Sequence, residues 1–257
     1  MNIHPTAIIH KNAVLDSSVT VGPYCTIGEH VKIGKNTHLR SHIVIDGWTT
    51  IGKNNVIYPF TSIGLEPQDL KYKGEKSRLV VGDDNTIREY VTLHRGTAPG
   101  GGITQIGNNN VLMAYTPVAH DCILGDRVIM SNAATLAGCI TVGDDAIIGG
   151  LSGIHQFVRI GSYAMVGGCS AVAQDVPPYV RVAGNHAKLY GLNSIGLKRH
   201  GFSSDQIKTL KLLYKLLFRS GLTLKDAVQQ SREKWPNLPE VERFLSFVEK
   251  SERGICR

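Results

Sequence analysis

The residues best suited to chemistry in this 257-residue chain lie in the sequence VAHDC, from Val118 to Cys122. A candidate base, His120, here adjoins an acid, Asp121. A histidine can act as a general base near neutral pH, and a carboxylate that reaches its imidazole would fix the tautomer. Neighbouring residues of a strand point to opposite sides, which argues against Asp121 as that carboxylate. The alternative interpretation of His120 is a surface histidine without a catalytic role.

Other kinds of site find less support around this histidine. Some repeat proteins hold zinc with histidines five residues apart, but the positions five away from His120 are Tyr115 and Gly125. We therefore expect no metal. The chain has neither a GxSxG nucleophile motif nor a phosphate-binding GxxxxGK(S/T) motif. A lone base suits direct transfer of an acyl group from a thioester to a hydroxyl, with a backbone N–H holding the oxyanion.

An aliphatic residue at every sixth position predicts the scaffold that positions these residues. The repeat runs from Ile3 to Ile63, reappears at Val81, Ile87 and Leu93, and continues from Ile106 to Val172. A period of six fits neither a helix nor an ordinary strand. It predicts triangular coils of 18 residues that stack as parallel ladders about 4.8 Å apart, with one inward side chain per hexad.

The 18-residue period also predicts which residues stand above one another. His120 falls under Gly138, and Asp121 under Cys139. His155 and Gln156 fall two coils beyond Ala119 and His120. These residues are therefore expected to share one strip of the surface.

The pattern divides the chain into a coil domain, a connector and a helical domain. Hexapeptide repeats occupy residues 1–178, with loops at about 64–80 and 94–105 that are favoured places for function. Pro177 and Pro178 end the ladder, and residues 179–202 are predicted to be an irregular connector. Residues 203–257 are predicted to be helical, beginning with a capping box at Ser203 and Gln206, with further helices after Thr223 and Pro239.

The first of these helices carries a basic face. Lys208, Lys211, Lys215 and Arg219 recur at steps of three and four. Either the face is simply solvated or it is a dock for an acidic helical protein. The net charge of +7 favours an acidic partner or an anionic substrate.

Composition limits the remaining classes. The N-terminus lacks a signal-peptide pattern, and no apolar run reaches the roughly 18 residues of a membrane span, so we expect a cytoplasmic protein without a transmembrane segment. Five scattered cysteines without a CxxC pair fit a reducing compartment. No basic cluster with aromatic residues lies in the repeat, so nucleic acid is not expected as a partner.

Seven motifs resemble those of the UDP-N-acetylglucosamine O-acyltransferases that begin lipid A synthesis, and they follow that family's order. They are QDLKY (68–72), LHRGT (93–97), AHDC (119–122), HQF (155–157), QDVPPYV (174–180), GNHA (184–187) and GLKRHGF (196–202). The resemblance implies a mainly β fold: a left-handed parallel β-helix followed by a small α-helical domain. It further implies a homotrimer with active sites between subunits.

The same resemblance implies the reaction and the roles of individual residues. A 3-hydroxyacyl group on acyl carrier protein would pass to the 3-hydroxyl of UDP-N-acetylglucosamine, with no cofactor beyond the phosphopantetheine of the carrier. His120 would be the general base, with Asp121 adjoining it and the Gly138 N–H facing the oxyanion. The remaining roles would fall to Asp69 and Lys71 at the sugar and thioester arm, His155 and Gln156 at the nucleotide sugar, Asn193 and Arg199 at the uridine diphosphate, and Gly168 and His186 along the acyl groove.

Three departures from the family pattern leave the substrate open. Familiar members have histidine where Pro117 and Cys139 stand, and glutamate where Ile195 stands. Some relatives acylate a 3-amino sugar, which is one alternative. A later N-acyltransferase of the same pathway is another, although it usually has a uridine-binding domain before its hexads, whereas this repeat starts at Ile3. A trimeric nucleotide-sugar-binding scaffold is the non-enzymatic alternative.

Overall fold

The computed structural model describes residues 2–257 as a stack of triangular coils followed by a helical segment. The first side of the triangle is a sheet of β1 (Asn2–Ile3), β4 (Thr20–Val21), β7 (His38–Leu39), β10 (Val56–Ile57), β13 (Thr86–Ile87), β16 (Val111–Leu112), β19 (Ile129–Met130), β22 (Ile147–Ile148), β25 (Met165–Val166), β27 (Val180–Ala183) and β28 (Lys188–Leu192). The second sheet contains β2 (Ile8–Ile9), β5 (Thr26–Ile27), β8 (Val44–Ile45), β11 (Ser62–Leu65), β14 (Thr92–His94), β17 (Pro117–Val118), β20 (Thr135–Leu136), β23 (Gly153–Ile154) and β26 (Ala171–Val172). The third contains β3 (Val14–Leu15), β6 (Lys32–Ile33), β9 (Trp48–Ile51), β12 (Arg78–Val81), β15 (Ile103–Ile106), β18 (Ile123–Leu124), β21 (Thr141–Val142) and β24 (Arg159–Ile160).

The aliphatic anchors form the core of this stack. Leu112 pairs with Met130, and Met130 with Ile148, so neighbouring coils are offset by 18 residues as predicted. All three side chains are fully buried, because the second residue of each short strand points inward. The predicted parallel β-helix of hexapeptide repeats with C-terminal helices is confirmed.

A residue with positive φ turns the chain at most corners from Tyr24 onward. In one coil these residues are Tyr115 (φ 62°), Asp121 (φ 59°) and Arg127 (φ 56°). We call the corner between the first and second sheets the first corner, that between the second and third sheets the second corner, and that between the third and first sheets the third corner. A left-handed backbone conformation suits Asn and Asp better than bulky residues, and many corners use them.

Two loops leave the stack at the second corner in successive coils. Residues 66–77 connect β11 to β12, and residues 95–102 connect β14 to β15. The ladder closes beneath them, since Val81 pairs with both Ile51 and Ile106. Both loops therefore extend from a continuous wall.

The segment after the last anchor differs from its prediction. Residues 179–202 were expected to be irregular, but they form the antiparallel hairpin β27–β28 and helix α1 (Ser194–Arg199). The expectation is wrong because β27 resumes the first sheet by pairing with β25 directly after the two prolines, a pairing too short to leave a periodic signal.

Three longer helices complete the chain: α2 (Ser204–Arg219), α3 (Leu224–Lys234) and α4 (Pro239–Glu249). The capping box of Ser203 and Gln206 is present, Thr223 caps α3, and Pro239 opens α4. Ser251 Oγ donates to Asp175 Oδ2 at 2.8 Å, which ties the tail to the last coil. No helix within residues 2–257 combines the length and hydrophobicity needed to span a membrane.

Candidate active site

His120 lies at the second corner directly after β17 and is only 7% exposed. Its ring packs against Gly138 of the next coil, as the 18-residue spacing predicted. A Cβ atom at position 138 would lie 2.5 Å from His120 Cε1, so only glycine leaves room for the imidazole. The two residues therefore form one structural unit.

Asp121 contacts the imidazole, contrary to the expectation from strand alternation. Its Oδ2 lies 2.8 Å from His120 Nδ1. Alternation fails because both residues belong to a corner turn, where the positive φ of Asp121 directs its side chain back toward its neighbour. The carboxylate fixes the tautomer with the proton on Nδ1, which leaves Nε2 as the basic atom.

The second loop holds the carboxylate of Asp121 in place. Thr97 donates to it twice, from its backbone N at 2.9 Å to Oδ1 and from its hydroxyl at 2.6 Å to Oδ2. The Asp121 side chain is completely buried. A buried carboxylate that accepts this many hydrogen bonds is held in one orientation.

An open cavity of about 620 Å³ lies over Nε2. The first loop contributes Asp69 and Lys71 to its wall, and the next coils contribute Gly138 and Gln156. Asp69 Oδ2 is 3.9 Å from His120 Nε2, a separation that leaves a substrate atom close to both. The structure thus brings together Asp69, Lys71, His120, Asp121, Gly138 and Gln156.

His94 is a further residue of this cavity that the sequence did not single out, although it lies in the LHRGT motif. It is 8% exposed, lines the cavity, and has an Nδ1 atom without a partner within residues 2–257. Burial lowers the pKa of His94, and the neighbouring His120 lowers it further. His94 is therefore neutral at neutral pH, which avoids a positive charge beside His120. Thr97, in the same motif, was missed as well, since only the fold reveals its contact with Asp121.

Cys139 lies beside the pair, and His120, Asp121 and Cys139 each offer an atom within 4.8 Å of the others. Such a trio has metal-ligand chemistry, but the Asp121 oxygens already accept from Thr97 and from His120. Burial raises the pKa of the Cys139 thiol, and the charge of Asp121 raises it further, so the sulfur is a protonated thiol at neutral pH. The donor set fits a hydrogen-bonded pair with an adjacent thiol better than a metal centre.

The other predicted substrate residues lie elsewhere on the chain. His155 is exposed one residue before Gln156, with its Nδ1 3.1 Å from the Gln156 carbonyl. Asn193 lies at the start of helix α1 and Arg199 at its end, beside the third corner. There Asn193 Nδ2 donates to the Tyr163 carbonyl at 3.0 Å. The Asn193 side chain also caps the helix by accepting from the backbone N of Gly196. In one chain these two residues thus lie away from His120.

The predicted acyl-groove residues occupy the remaining corner. Gly168 precedes Cys169, the first-corner residue of its coil, and its backbone packs on Gly150. His186 follows Asn185, which pairs with Ala171 at the top of the second sheet. The structure does not bring Gly168 or His186 to His120 within one chain.

The predicted carrier-protein dock is a groove beside helix α2. Lys208, Lys211, Lys215 and Arg219 are all exposed and line a cavity of about 520 Å³ with Leu192, Ser194 and Leu212. None of the four makes an ion pair within the described part of the chain. Their charge is therefore available to an anionic partner.

Stacked hexapeptide coils with a buried His–Asp pair facing an open cavity define the class of hexapeptide-repeat acyltransferases. The family model described as Udp N-acetylglucosamine O-acyltransferase, domain 2, matches residues 175–256. A curated relative from Thermodesulfovibrio yellowstonii, named acyl-[acyl-carrier-protein]–UDP-N-acetylglucosamine O-acyltransferase, is 55% identical over 255 residues and 99% of both chains. The chain belongs to this family of O-acyltransferases.

Solved structures agree with this assignment. LpxA from Acinetobacter baumannii is 49% identical, with a TM-score of 0.97 over 99% of both chains. The UDP-N-acetylglucosamine O-acyltransferase (LpxA) from Moraxella catarrhalis is 46% identical, with a TM-score of 0.97 over 100% of both chains. The expected left-handed winding is confirmed, because these are left-handed β-helices and a coil of opposite hand would not superpose.

We predict that Asp121→Asn lowers kcat by about 10²- to 10⁴-fold and changes KM for the sugar little. The amide cannot serve both Thr97 and the Nδ1–H of His120, so the reactive tautomer is lost while the cavity keeps its shape. Steady-state kinetics of acyl transfer measures the effect. Asp84→Asn is the matched control, because Asp84 is another corner residue with positive φ but lies at the third corner. An unchanged kcat in Asp121→Asn would show that the carboxylate does not orient the base.

Proposed function

We propose that this enzyme transfers a 3-hydroxyacyl group from acyl carrier protein to the 3-hydroxyl of UDP-N-acetylglucosamine, with His120 as the general base. The observation that carries the proposal is the buried His120–Asp121 pair, whose free Nε2 faces the cavity. The names of the full-length relatives support the two substrates. The expected cytoplasmic location stays a prediction.

The mechanism requires one proton to move twice. Nε2 of His120 takes the proton of the sugar hydroxyl as its oxygen attacks the thioester carbonyl, and Asp121 stabilises the imidazolium that forms. The C–O bond forms, the C–S bond breaks, and the proton passes from His120 to the departing thiolate. The Gly138 N–H donates to no acceptor within residues 2–257, which leaves it available to the tetrahedral oxyanion.

The protein's own residues suffice for this reaction. The phosphopantetheine arm arrives on the carrier, and neither a metal nor a further cofactor is required. Asp69, 3.9 Å from Nε2, is placed to accept from the sugar, and Lys71 is exposed at the same wall for the phosphates or thioester arm. His155 and Gln156 would contact the nucleotide sugar from the coils above.

A 3-amino sugar is the second candidate acceptor, and the cavity gives one reason to test it. Pro117 lines the wall and Cys139 adjoins the pair, so two positions that hold imidazoles in familiar relatives offer no second ring donor here. A later-pathway N-acyltransferase and a non-catalytic nucleotide-sugar scaffold are less well supported, because the full-length relatives carry the O-acyltransferase name.

We predict that His120→Ala lowers turnover by about 10²- to 10⁴-fold while nucleotide-sugar binding and assembly remain intact. Mass analysis of products from both nucleotide sugars, with a series of 3-hydroxyacyl carriers, measures turnover, acceptor and chain length together. We expect an ester on the 3-hydroxyl as the main wild-type product. His10→Ala is the control because His10 is exposed directly after β2, at the end of the coil stack away from the cavity. Unchanged turnover in His120→Ala would show that His120 is not the general base, whereas sugar binding without turnover in the wild-type chain would support the scaffold interpretation.

A homotrimer would bring the scattered site residues together. His120, Asn193 with Arg199, and Gly168 with His186 lie at three different corners, so adjacent subunits are needed to combine them. The first corner also exposes an apolar stripe of stacked and neighbouring side chains, each 44–70% exposed: Tyr24, Phe60, Tyr90, Tyr115 and Leu151. An exposed apolar stripe of this kind is typical of a subunit interface.

We predict that inactive His120→Ala and Arg199→Ala chains recover activity when they are co-expressed and form mixed trimers. If the base and Arg199 come from different subunits, each mixed trimer has about one restored site in three, because only one of its three subunit pairs combines the intact residues. Two affinity tags isolate the mixed species, and the acyl-transfer assay measures it. Mixing His120→Ala with Asp121→Asn is the control, since both residues come from the same subunit and no site is restored. Absence of recovery in the first pair would place the whole site within one chain.

We further propose that the basic face of α2 binds acyl carrier protein. Replacing Lys211 and Lys215 by Glu should raise KM for the carrier by about tenfold and weaken its salt dependence, because long-range attraction is lost. KM for the sugar should not change. Lys11→Glu with Lys32→Glu is the matched control, because it makes the same change in net charge at the opposite end of the coils. If neither KM nor its salt dependence changes, the face is merely solvated.

A further inference from the structure

The loop that carries Asp69 and Lys71 has little support of its own. It projects from the second corner as residues 66–77, and Leu70 at its tip is fully exposed. Inside the loop, Asp69 makes a local turn by accepting from the backbone N of Lys71 at 2.9 Å. Such a segment opens readily unless the body of the protein holds it.

Arg95, the first residue of the second loop, makes a side-chain hydrogen bond to the first loop. Its Nη2 donates to the hydroxyl of Tyr72 at 3.0 Å, and its guanidinium lies over the Trp48 ring at 5.7 Å. Gly47 leaves the space through which the Arg95 side chain passes, since a Cβ there would collide with the guanidinium. Arg95 is only 7% exposed, and so its orientation is restricted by the surrounding packing.

The charge of Arg95 has no carboxylate partner within residues 2–257. A buried cation without a counter-charge is costly, and an apolar side chain would serve packing at least as well. The neutral partners that it does have are the Trp48 face and the Tyr72 hydroxyl. These contacts indicate that Arg95 serves to position Tyr72.

Tyr72 also connects the first loop to the second loop through Glu75. Its hydroxyl donates to the Glu75 carbonyl at 3.1 Å, and the Glu75 carboxylate accepts from the backbone N of Ala98 at 3.1 Å. Ala98 follows Thr97, which holds Asp121. One chain of contacts therefore links the substrate loop to the residue that orients the base.

We propose that Arg95 is a positioning residue that, through Tyr72, holds the Asp69–Lys71 segment over the His120 cavity for substrate capture. The capture role rests on the proposed function, whereas the placement of the loop does not. Loss of the contact should open the loop, raise KM for the nucleotide sugar and leave kcat nearly unchanged. Residues that only stabilise the fold would instead lower the melting temperature.

Limited trypsin digestion reports the loop directly, because Lys71, Lys73 and Lys76 are exposed within it. We expect Tyr72→Phe and Arg95→Ala to speed cleavage after Lys71 and Lys73 by about tenfold, because a hydrogen bond to a charged group is lost. Both variants should raise KM for the sugar by a similar factor. Tyr72→Phe removes one hydroxyl and should keep the wild-type melting temperature. Arg95→Lys should recover part of the effect, because it retains the cation over Trp48.

Controls separate this proposal from the catalytic one. Arg88→Ala removes an exposed arginine paired with Glu89 and should alter neither cleavage nor KM. The Tyr72→Phe change should speed cleavage equally in a His120→Ala background, so loop placement is testable even if His120 is not the base. Wild-type cleavage and KM in Tyr72→Phe and Arg95→Ala would overturn the proposal. A rise in KM without faster cleavage would also overturn it, because the loop would then not be what Arg95 holds.

Discussion

The parallel hydrogen-bond ladder between successive coils is the constraint on which the rest of this structure depends. Each coil fixes the height and direction of the next, because strands offset by 18 residues donate and accept along the same axis. The buried aliphatic anchors keep the register, since a slip by one residue would turn every anchor outward. Residues distant in sequence, such as His120 and Gly138, therefore meet at a separation that the ladder fixes.

The ladder also explains why insertions are tolerated where the site lies. Both loops leave at the second corner, yet β9, β12 and β15 pair as if no residues intervened. Buried asparagines continue across the same coils at the third corner: Asn85 N donates to Asn55 Oδ1 and Asn110 N to Asn85 Oδ1. An insertion at a corner costs no core contact, so a loop can carry Asp69 or Thr97 toward the coil above while the wall stays intact.

Much of the scaffold was predictable because aliphatic residues recur at every sixth position, and this repeat remains recognisable when individual hexads vary. The anchors, the coil length and the stacking of His120 under Gly138 follow from counting. The His120–Asp121 contact does not, because strand alternation was applied to a corner, where positive φ at Asp121 reverses the direction of its side chain. His94 and Thr97 were missed for another reason: their contacts span loops whose course no repeat encodes. The hairpin β27–β28 escaped detection since two short strands carry too few residues to show a period.

The electrostatic environment of His120 depends on which of the neighbouring side chains are charged. Thr97 donates to both oxygens of Asp121 and holds this carboxylate on the Nδ1 side of the ring. His94 and the Cys139 thiol are neutral, because burial disfavours the imidazolium of one and the thiolate of the other. The fixed charges nearest the imidazole are then carboxylates, Asp121 at Nδ1 and Asp69 near Nε2. Carboxylates in these positions would stabilise the imidazolium that the proposed role of His120 as general base requires while a hydroxyl attacks.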